Sequence, residues 1–326
     1  MQTEAAWLLR HGGADGFAWG PAALAPPGPG EVRVRQLAIG LNFAEVYQRQ
    51  GAPGPHQTEQ FPAILGSQGA GVIEALGAGV AGWHQGDQVA YIHDRTYARH
   101  VNVPVDRMIA LAAPLTPELA AAFLVRGLTA EYLLHRLYRV RAGQVILVHA
   151  AAGGMGEVLC QWARALGAIV IGTVGSDHKV AVARRHGCHH VINYRRDNFV
   201  SAVQAITDGV GVDVVYDAVG HDVFVPSLDC LKPRGIAINY GTASGGVQRF
   251  DLQRLHARSL SVCRPTLKTF IADSNEMREA AARFVGALRA GAVHLAVSRR
   301  YPLREVAQAH RDLESRETVG AAILVP

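Results

Sequence analysis

The sequence predicts an α/β protein of two domains, one β-rich and one built on a doubly wound parallel sheet. Three observations predict it. At 326 residues the chain is longer than one ordinary core requires. From about residue 123 the rhythm changes, and short apolar runs alternate with longer helical stretches. Those runs lack polar alternation, so their sheet is covered on both faces, as parallel sheets are. With 49% hydrophobic and 18% charged residues, the composition is that of a compact chain and not a disordered one.

Taken in order, "EVRVRQLAIG" (31–40) alternates as a half-buried strand does, after a Pro/Gly turn at 26–30. "GAGVIEALGAGVAGWHQGDQVAYI" (69–92) reads as strand, loop, the turn Gly86-Asp87 and a second strand. Thr116-Pro117-Glu118 opens a helix: a capping hydroxyl, proline in the first turn, and an acid near the positive dipole end. Then "QVILVHA", "AIVIGTVG" and "HHVINY" each precede a helix, followed by "VDVVYDAVG", "GIAINYG" and "SLSVCRP" as further strands. From about Arg299 the chain has Pro302 opening a helix and ends in the strand-like "AAILVP", which returns to the first domain.

The formal charge is +5. Basic residues cluster only as doublets, such as Arg184-Arg185, Arg195-Arg196 and Arg299-Arg300. That excess suits a small phosphorylated anion better than a polyanion. No apolar stretch of about 18 residues and no charged-then-apolar leader is present, so a soluble, cytoplasmic protein without membrane contact is expected. The cysteines (Cys160, Cys188, Cys230 and Cys263) form no Cys-x-x-Cys pair and read as buried thiols.

The strand Gln144–Ala150 runs into Ala151-Ala152-Gly153-Gly154-Met155-Gly156, and a helix follows to Gly167. Except for Ala151 at the first position, this is the Gly-x-Gly-x-x-Gly fingerprint. Gly153 lets the backbone approach a pyrophosphate, and Gly156 lets the helix pack on the strand. The helix N-terminus supplies amide donors. Alone the motif is weak, the alternative being a plain βα turn; two further βα units make the ligand a dinucleotide. A free ribose 2′-hydroxyl is usually met by an acid about 20 residues on. Here Gly175 and Ser176 end the second strand, with Asp177 displaced into the loop beyond. Lys179 can approach a 2′-phosphate and Tyr194 can donate to it, so NADPH is expected rather than NADH. The bland reading of Lys179 is a solvated helix-start lysine.

These residues, with "AIGLNFAEVYQRQG", "LGSQGAGVIEALGAGV", "FLVRGLTAEYLL", "GTVGSDHK", "VINYR", "SLDCLKPRG" and "ESRETVG", make the chain resemble the NADPH:quinone oxidoreductases. These are the ζ-crystallin-like, zinc-free branch of the medium-chain dehydrogenase/reductase superfamily. The resemblance runs nearly end to end. It implies a GroES-like catalytic domain over 1–124, completed by 297–326, and a Rossmann NADPH-binding domain over 125–296, with the site in the cleft between them. It also implies a homodimer joined through the Rossmann domains. By position, Asn42 and Tyr47 face the nicotinamide end and Thr129 its carboxamide. Ala152, Gly153, Gly154, Met155 and Gly156 hold the pyrophosphate. Lys179, Tyr194 and Arg316 surround the adenosine phosphate, with Gly175 and Ser176 beside it. Ala218, Val219, Gly220, Tyr240, Gly241, Ser244, Gly245, Arg264 and Thr266 line the remaining groove. Gln68, Arg95 and Val125-Arg126 depart from the family pattern, which bears on substrate preference more than on cofactor binding.

No metal is expected. Zinc-dependent relatives place a cysteine where this chain has Asn42 and a His-Glu pair where it has Ser67-Gln68. Their four-cysteine structural lobe falls in a domain that here contains no cysteine. Cys188-His189-His190 point alternately to opposite faces and cannot converge on one ion. His56, His84 and His93 read as surface residues and His310 as structural. The resemblance implies hydride transfer to a quinone, which needs little help because the product anion is delocalised. Tyr47 either donates to the carbonyl oxygen or only packs against the cofactor, with Asn42 fixing the ribose or nicotinamide. Reduction of a 2-alkenal, an enone or an enoyl thioester stays open. So do nucleic-acid binding or NADPH sensing without principal catalysis, though no aromatic stacking platform supports the former.

Overall fold

The computed structural model describes residues 1–52, 60–315 and 320–326. These group into two compact units: Met1–Gly127 with Met277–Val285 and Ala296–Pro326, and Leu128–Glu276 with Gly286–Leu295.

The first unit opens with a hairpin, β1 (Gln2–Leu8) and β2 (Phe17–Ala23), and continues with β3 (Glu31–Gly40) and helix α1 (Phe43–Gln50). Strands β4 (Ala63–Ile64), β5 (Gln68–Leu76), β6 (Gln88–Ile92), β7 (His100–Pro104) and β8 (Met108–Ala110) follow. Along β3 the even positions Val32, Val34 and Gln36 are buried, as the sequence alternation requires. Helix α2 (Pro117–Glu131) begins where Thr116 Oγ1 accepts the Leu119 amide at 3.3 Å. It widens into a π-helical turn over Tyr132–Leu137.

In the second unit β9 (Val145–Val148), α3 (Gly154–Ala165), β10 (Ile169–Val174), α4 (His178–Arg185), β11 (His190–Asn193) and α5 (Phe199–Ile206) alternate. They are followed by β12 (Val212–Asp217), β13 (Leu231–Asn239) and β14 (Ser261–Cys263). The six strands run parallel in the order β11-β10-β9-β12-β13-β14. Strand order reverses beside β9, so the loop after β9 sits at the switch point where such sheets bind ligands. One apolar cluster, including Leu147, Ile171, Val215 and Ala237, fills the space between sheet and helices.

The chain closes on the first unit. β15 (Val297–Pro302) and β16 (Ala321–Val325) pair with each other, and Ile323 and Leu324 of β16 pair with Gly40 and Ile39 of β3. Among the described residues no helix is long and apolar enough to cross a membrane. His84 is exposed but His93 is half-buried, correcting its reading as a surface residue; burial lowers its pKa. His56 and Arg316 lie outside the described residues. Cys160, Cys188 and Cys230 are buried, whereas Cys263 is only partly so.

Candidate functional site

In the second unit, β9 delivers the chain into the glycine loop, with Gly153 as the N-cap of α3. A Cβ on Gly156 would overlap the Ala151 carbonyl and lie 2.7 Å from its Cα, so the helix packs here only because glycine is present. Ala151 is tolerated in place of the fingerprint's first glycine for a related reason. Its Cβ lies against Gly172 of β10, where an added Cβ would meet it at 2.7 Å and Cys188 Sγ at 2.6 Å. The Ala151 amide donates to Thr173 O (3.0 Å), and His186 Nδ1–H donates to Ala151 O (3.0 Å). The loop is therefore fixed from the β10 side and from the end of α4.

At the end of β10, Gly175 and Ser176 lead into α4, and Lys179 lies in its first turn, half-buried. The Tyr194 hydroxyl rests against Gly175, 2.8 Å from where a Cβ would be. Tyr194 is thus brought to Gly175, and the Lys179 amide donates to Ser176 O at 3.2 Å. Asp177, the N-cap of α4, is exposed; it accepts from Asn193 Nδ2 at 2.9 Å and pairs with Arg196 at 3.6 Å. Arg196 also pairs with Asp197 at 3.3 Å, so this one cation is shared between two exposed carboxylates.

Past β12 the groove is organised by a residue that sequence reasoning missed. Buried Asp217 accepts the Val219 amide (2.7 Å), the Gly220 amide (3.0 Å) and Asn239 Nδ2 (2.8 Å). Its pKa is nonetheless raised, because burial outweighs those bonds. Asn239 Oδ1 in turn accepts Arg264 Nη1 at 2.7 Å, so the chain Asp217–Asn239–Arg264 sets the guanidinium. The Ala218–Gly220 turn is stitched to the following loop by Ala243 N to Ala218 O (3.1 Å), Ser244 N to Val219 O (2.8 Å) and His221 N to Gly245 O (3.0 Å). Gly241, Ser244 and Gly245 therefore join Ala218, Val219 and Gly220. The Tyr240 hydroxyl is buried without a partner in the described residues. Thr266 stands at the N-cap position of a short helix without a side-chain cap bond, and Thr129 is buried on α2.

The first unit carries Asn42 and Tyr47 on one short helix. Asn42 is the N-cap of α1 in a capping box with Glu45: its side chain accepts the Glu45 amide, and its own amide donates to Glu45 Oε2 at 2.7 Å. That fixes Asn42 Oδ1, and among the described residues its buried Nδ2 has no partner at hydrogen-bond distance. A buried donor left unsatisfied within the protein is one that a polar ligand can complete. Glu45, also unforeseen, is fully buried; Ser67 Oγ–H donates to its other oxygen, yet burial keeps its pKa raised. Its signal was legible as Asn-x-x-Glu spacing. Tyr47 is half-buried, its ring 6.1 Å from that of Phe43. Arg126 donates to the carbonyls of Ala122 (2.7 Å) and Leu41 (3.0 Å), bracing the strand end before Asn42.

Asn42, Ser67 and Gln68 do not fit a zinc ion. None supplies a thiolate or imidazole, Asn42 Oδ1 is spent on the helix cap, and Gln68 Oε1 accepts the Val125 amide at 2.7 Å. Among the described residues no three His, Cys, Asp or Glu side chains group as metal ligands. The glycine loop, by contrast, with Lys179, Tyr194 and Arg264, fits a phosphorylated dinucleotide.

Residues 28–144 match the alcohol dehydrogenase GroES-like domain, and residues 154–286 match the zinc-binding dehydrogenase family. A 2-haloacrylate reductase from a Burkholderia species is 40% identical, over 99% of this chain and 98% of its own. A quinone oxidoreductase from Pseudomonas aeruginosa is also 40% identical, over 97% of each chain. The crystal structure of Escherichia coli quinone oxidoreductase complexed with NADPH superposes with a TM-score of 0.94 at 37% identity, covering 99% of this chain and 100% of that one.

Proposed function

Because this chain belongs to the quinone oxidoreductase family of the medium-chain dehydrogenase/reductase superfamily, we propose that it reduces quinones at the expense of NADPH. The observation that supports the cofactor choice is the end of β10, where the Tyr194 hydroxyl lies against Gly175, Lys179 stands in the first turn of α4, and the displaced carboxylate of Asp177 is engaged by Asn193 and Arg196. Bound NADPH supplies a hydride.

The chain's own residues do the rest. Amides at the start of α3 hold the pyrophosphate in the field of the helix N-terminus. Lys179 and Tyr194 take the 2′-phosphate, while Arg264, fixed through Asn239 and Asp217, adds positive charge farther along the groove. Asn42 Nδ2 donates to the ribose or nicotinamide, and Tyr47 donates a hydrogen bond or proton to the acceptor's oxygen. A quinone asks for no stronger electrophile, since the anion left after hydride addition is delocalised over its ring. No step passes through a metal, because the donor set at Asn42, Ser67 and Gln68 does not suit one.

A second reading has its own support: the relative named as a 2-haloacrylate reductase is as similar as the quinone reductase. That acceptor is a conjugated double bond, and it too takes one hydride and one proton. NADPH oxidation followed with a panel of quinones, 2-haloacrylates and alkenals tests both. Faster turnover with quinones supports the first reading; turnover confined to haloacrylates or alkenals replaces it with the second. We read the protein further as a cytoplasmic homodimer with no nucleic-acid partner, which light scattering with and without added RNA tests.

A further inference from the structure

The doublet Arg184-Arg185 has no part in the proposed reaction, yet it lines a hollow on the second unit. The hollow, about 380 Å³, is formed where α3 and α4 end and the chain turns at Gly291. Its charged lining is Arg164, Arg184 and Arg185, with no carboxylate. All three are exposed. Arg184 and Arg185 make no ion pair with any described residue, and Arg164 reaches only the Gly187 carbonyl, at 3.5 Å. The scarcity of acid extends well beyond the lining: residues 158–176, 178–196 and 280–304 contain no Asp or Glu at all. One wall is firmly held, since Gln161 Nε2 donates to His294 O (3.0 Å) and its Oε1 accepts the His294 amide (2.9 Å).

Arginines at helix C-termini have an ordinary explanation, the negative end of the helix dipole. Magnitudes decide against it as the whole account. Two helix ends offer about half a negative charge each, against three guanidinium groups, so an excess of about two positive charges remains. Neighbouring His189 feels it: burial first, and then Arg164 and His190, hold its pKa below the ordinary histidine value.

We propose that this hollow is a second anion site, for a compact polyphosphate with two or more phosphoryl groups. Guanidinium forks match phosphate oxygens in pairs, which suits arginine better than lysine here. The site is distinct from the cofactor groove. The glycine loop and Lys179 lie at the N-terminal ends of α3 and α4, whereas the arginines lie at or beside their C-terminal ends. Along α3, which spans Gly154–Ala165, that is a separation of about 18 Å at 1.5 Å per residue. No aromatic ring lines the hollow, so a phosphate chain is favoured over a nucleic acid, whose bases would need stacking partners.

Calorimetric titration with inorganic tripolyphosphate, with and without saturating NADPH, tests the proposal. Binding is expected in both conditions, weakened at least tenfold in Arg184→Ser/Arg185→Ser and weakened by added salt. Arg254→Ser, which removes a positive charge elsewhere on the same unit, should leave it unchanged. A parallel titration with a nucleoside triphosphate separates the sources: equal affinity points to a nucleotide's phosphate tail, weaker binding to an inorganic chain. Unchanged melting temperature and NADPH oxidation rate in the double variant show that it is folded. Equal tripolyphosphate affinity in wild type and double variant, loss of binding once NADPH is present, or an equal loss in Arg254→Ser would overturn the proposal.

Discussion

In the proposed function Asn42 performs two tasks with the two ends of one amide, and they can be separated. Its oxygen caps α1, and its buried Nδ2, without a partner among the described residues, is the end proposed to serve a ligand. Asn42→Ser keeps a capping oxygen and loses the donor. The variant should melt within a few degrees of wild type, because serine caps a helix about as well as asparagine, while kcat/KM falls at least tenfold. A fall in melting temperature with unchanged kinetics would make Asn42 a cap alone. Lys179→Ala should raise the KM for NADPH between 10- and 100-fold, the scale of a charge-assisted hydrogen bond of about 1.5–3 kcal/mol. The KM for NADH should not change. Lys179 and Tyr194 are legible in the sequence because they follow apolar strands at fixed offsets. Asp217 is legible only as the end of "VDVVYD"; that its carboxylate turns inward to hold Val219, Gly220 and Asn239 is a tertiary fact.

Elements divide in the same way. The turn between β9 and α3 declares itself because glycine spacing encodes a backbone demand. Gly156→Ala tests that demand: the added methyl meets Ala151, so the helix must shift. Overpacking typically costs 1–3 kcal/mol, and NADPH affinity should drop with it, as paired thermal melts and fluorescence titrations would reveal. Helix α1 is harder to read. Half of its eight residues are polar or charged, and the sequence advertises it only through the Asn-x-x-Glu box. The opening hairpin of β1 and β2 is similarly quiet, since its partner Ala63–Ile64 lies some forty residues on and local patterning carries no trace of that pairing.

Across the whole molecule, acid should be the weak point. Each unit buries one neutral histidine whose pKa is lowered to about 3 by desolvation: His310 in the first and His149 in the second. His149 is held as one tautomer. Ser227 gives its proton to Val223 O at 2.6 Å, so His149 Nε2–H donates to Ser227 Oγ (2.8 Å), and Nδ1 accepts from Thr173 (2.9 Å). Both folded pKa values lie below the unfolded value of 6.5, so their stability is full above pH 6.5 and is lost as pH falls toward 3. The slope approaches about 1.4 kcal/mol per pH unit for each group. Glu45, raised above 4.5 by burial, acts oppositely, with stability present below 4.5 and lost as pH rises through its folded value. Urea unfolding from pH 7 to pH 5 should show a steep decline that His149→Gln makes shallower; an unchanged slope would remove His149 from the account. The doubly wound sheet is legible as a whole because unalternated apolar strands can only be buried on both faces. The strand order is not, since it depends on crossovers that no local pattern records.

The central claim is that this groove selects a coenzyme bearing a 2′-phosphate. Isothermal titration of the wild-type protein with NADPH and NADH, under one buffer and salt condition, tests it most directly. NADPH should bind at least tenfold more tightly; equal affinity, or a preference for NADH, would contradict it.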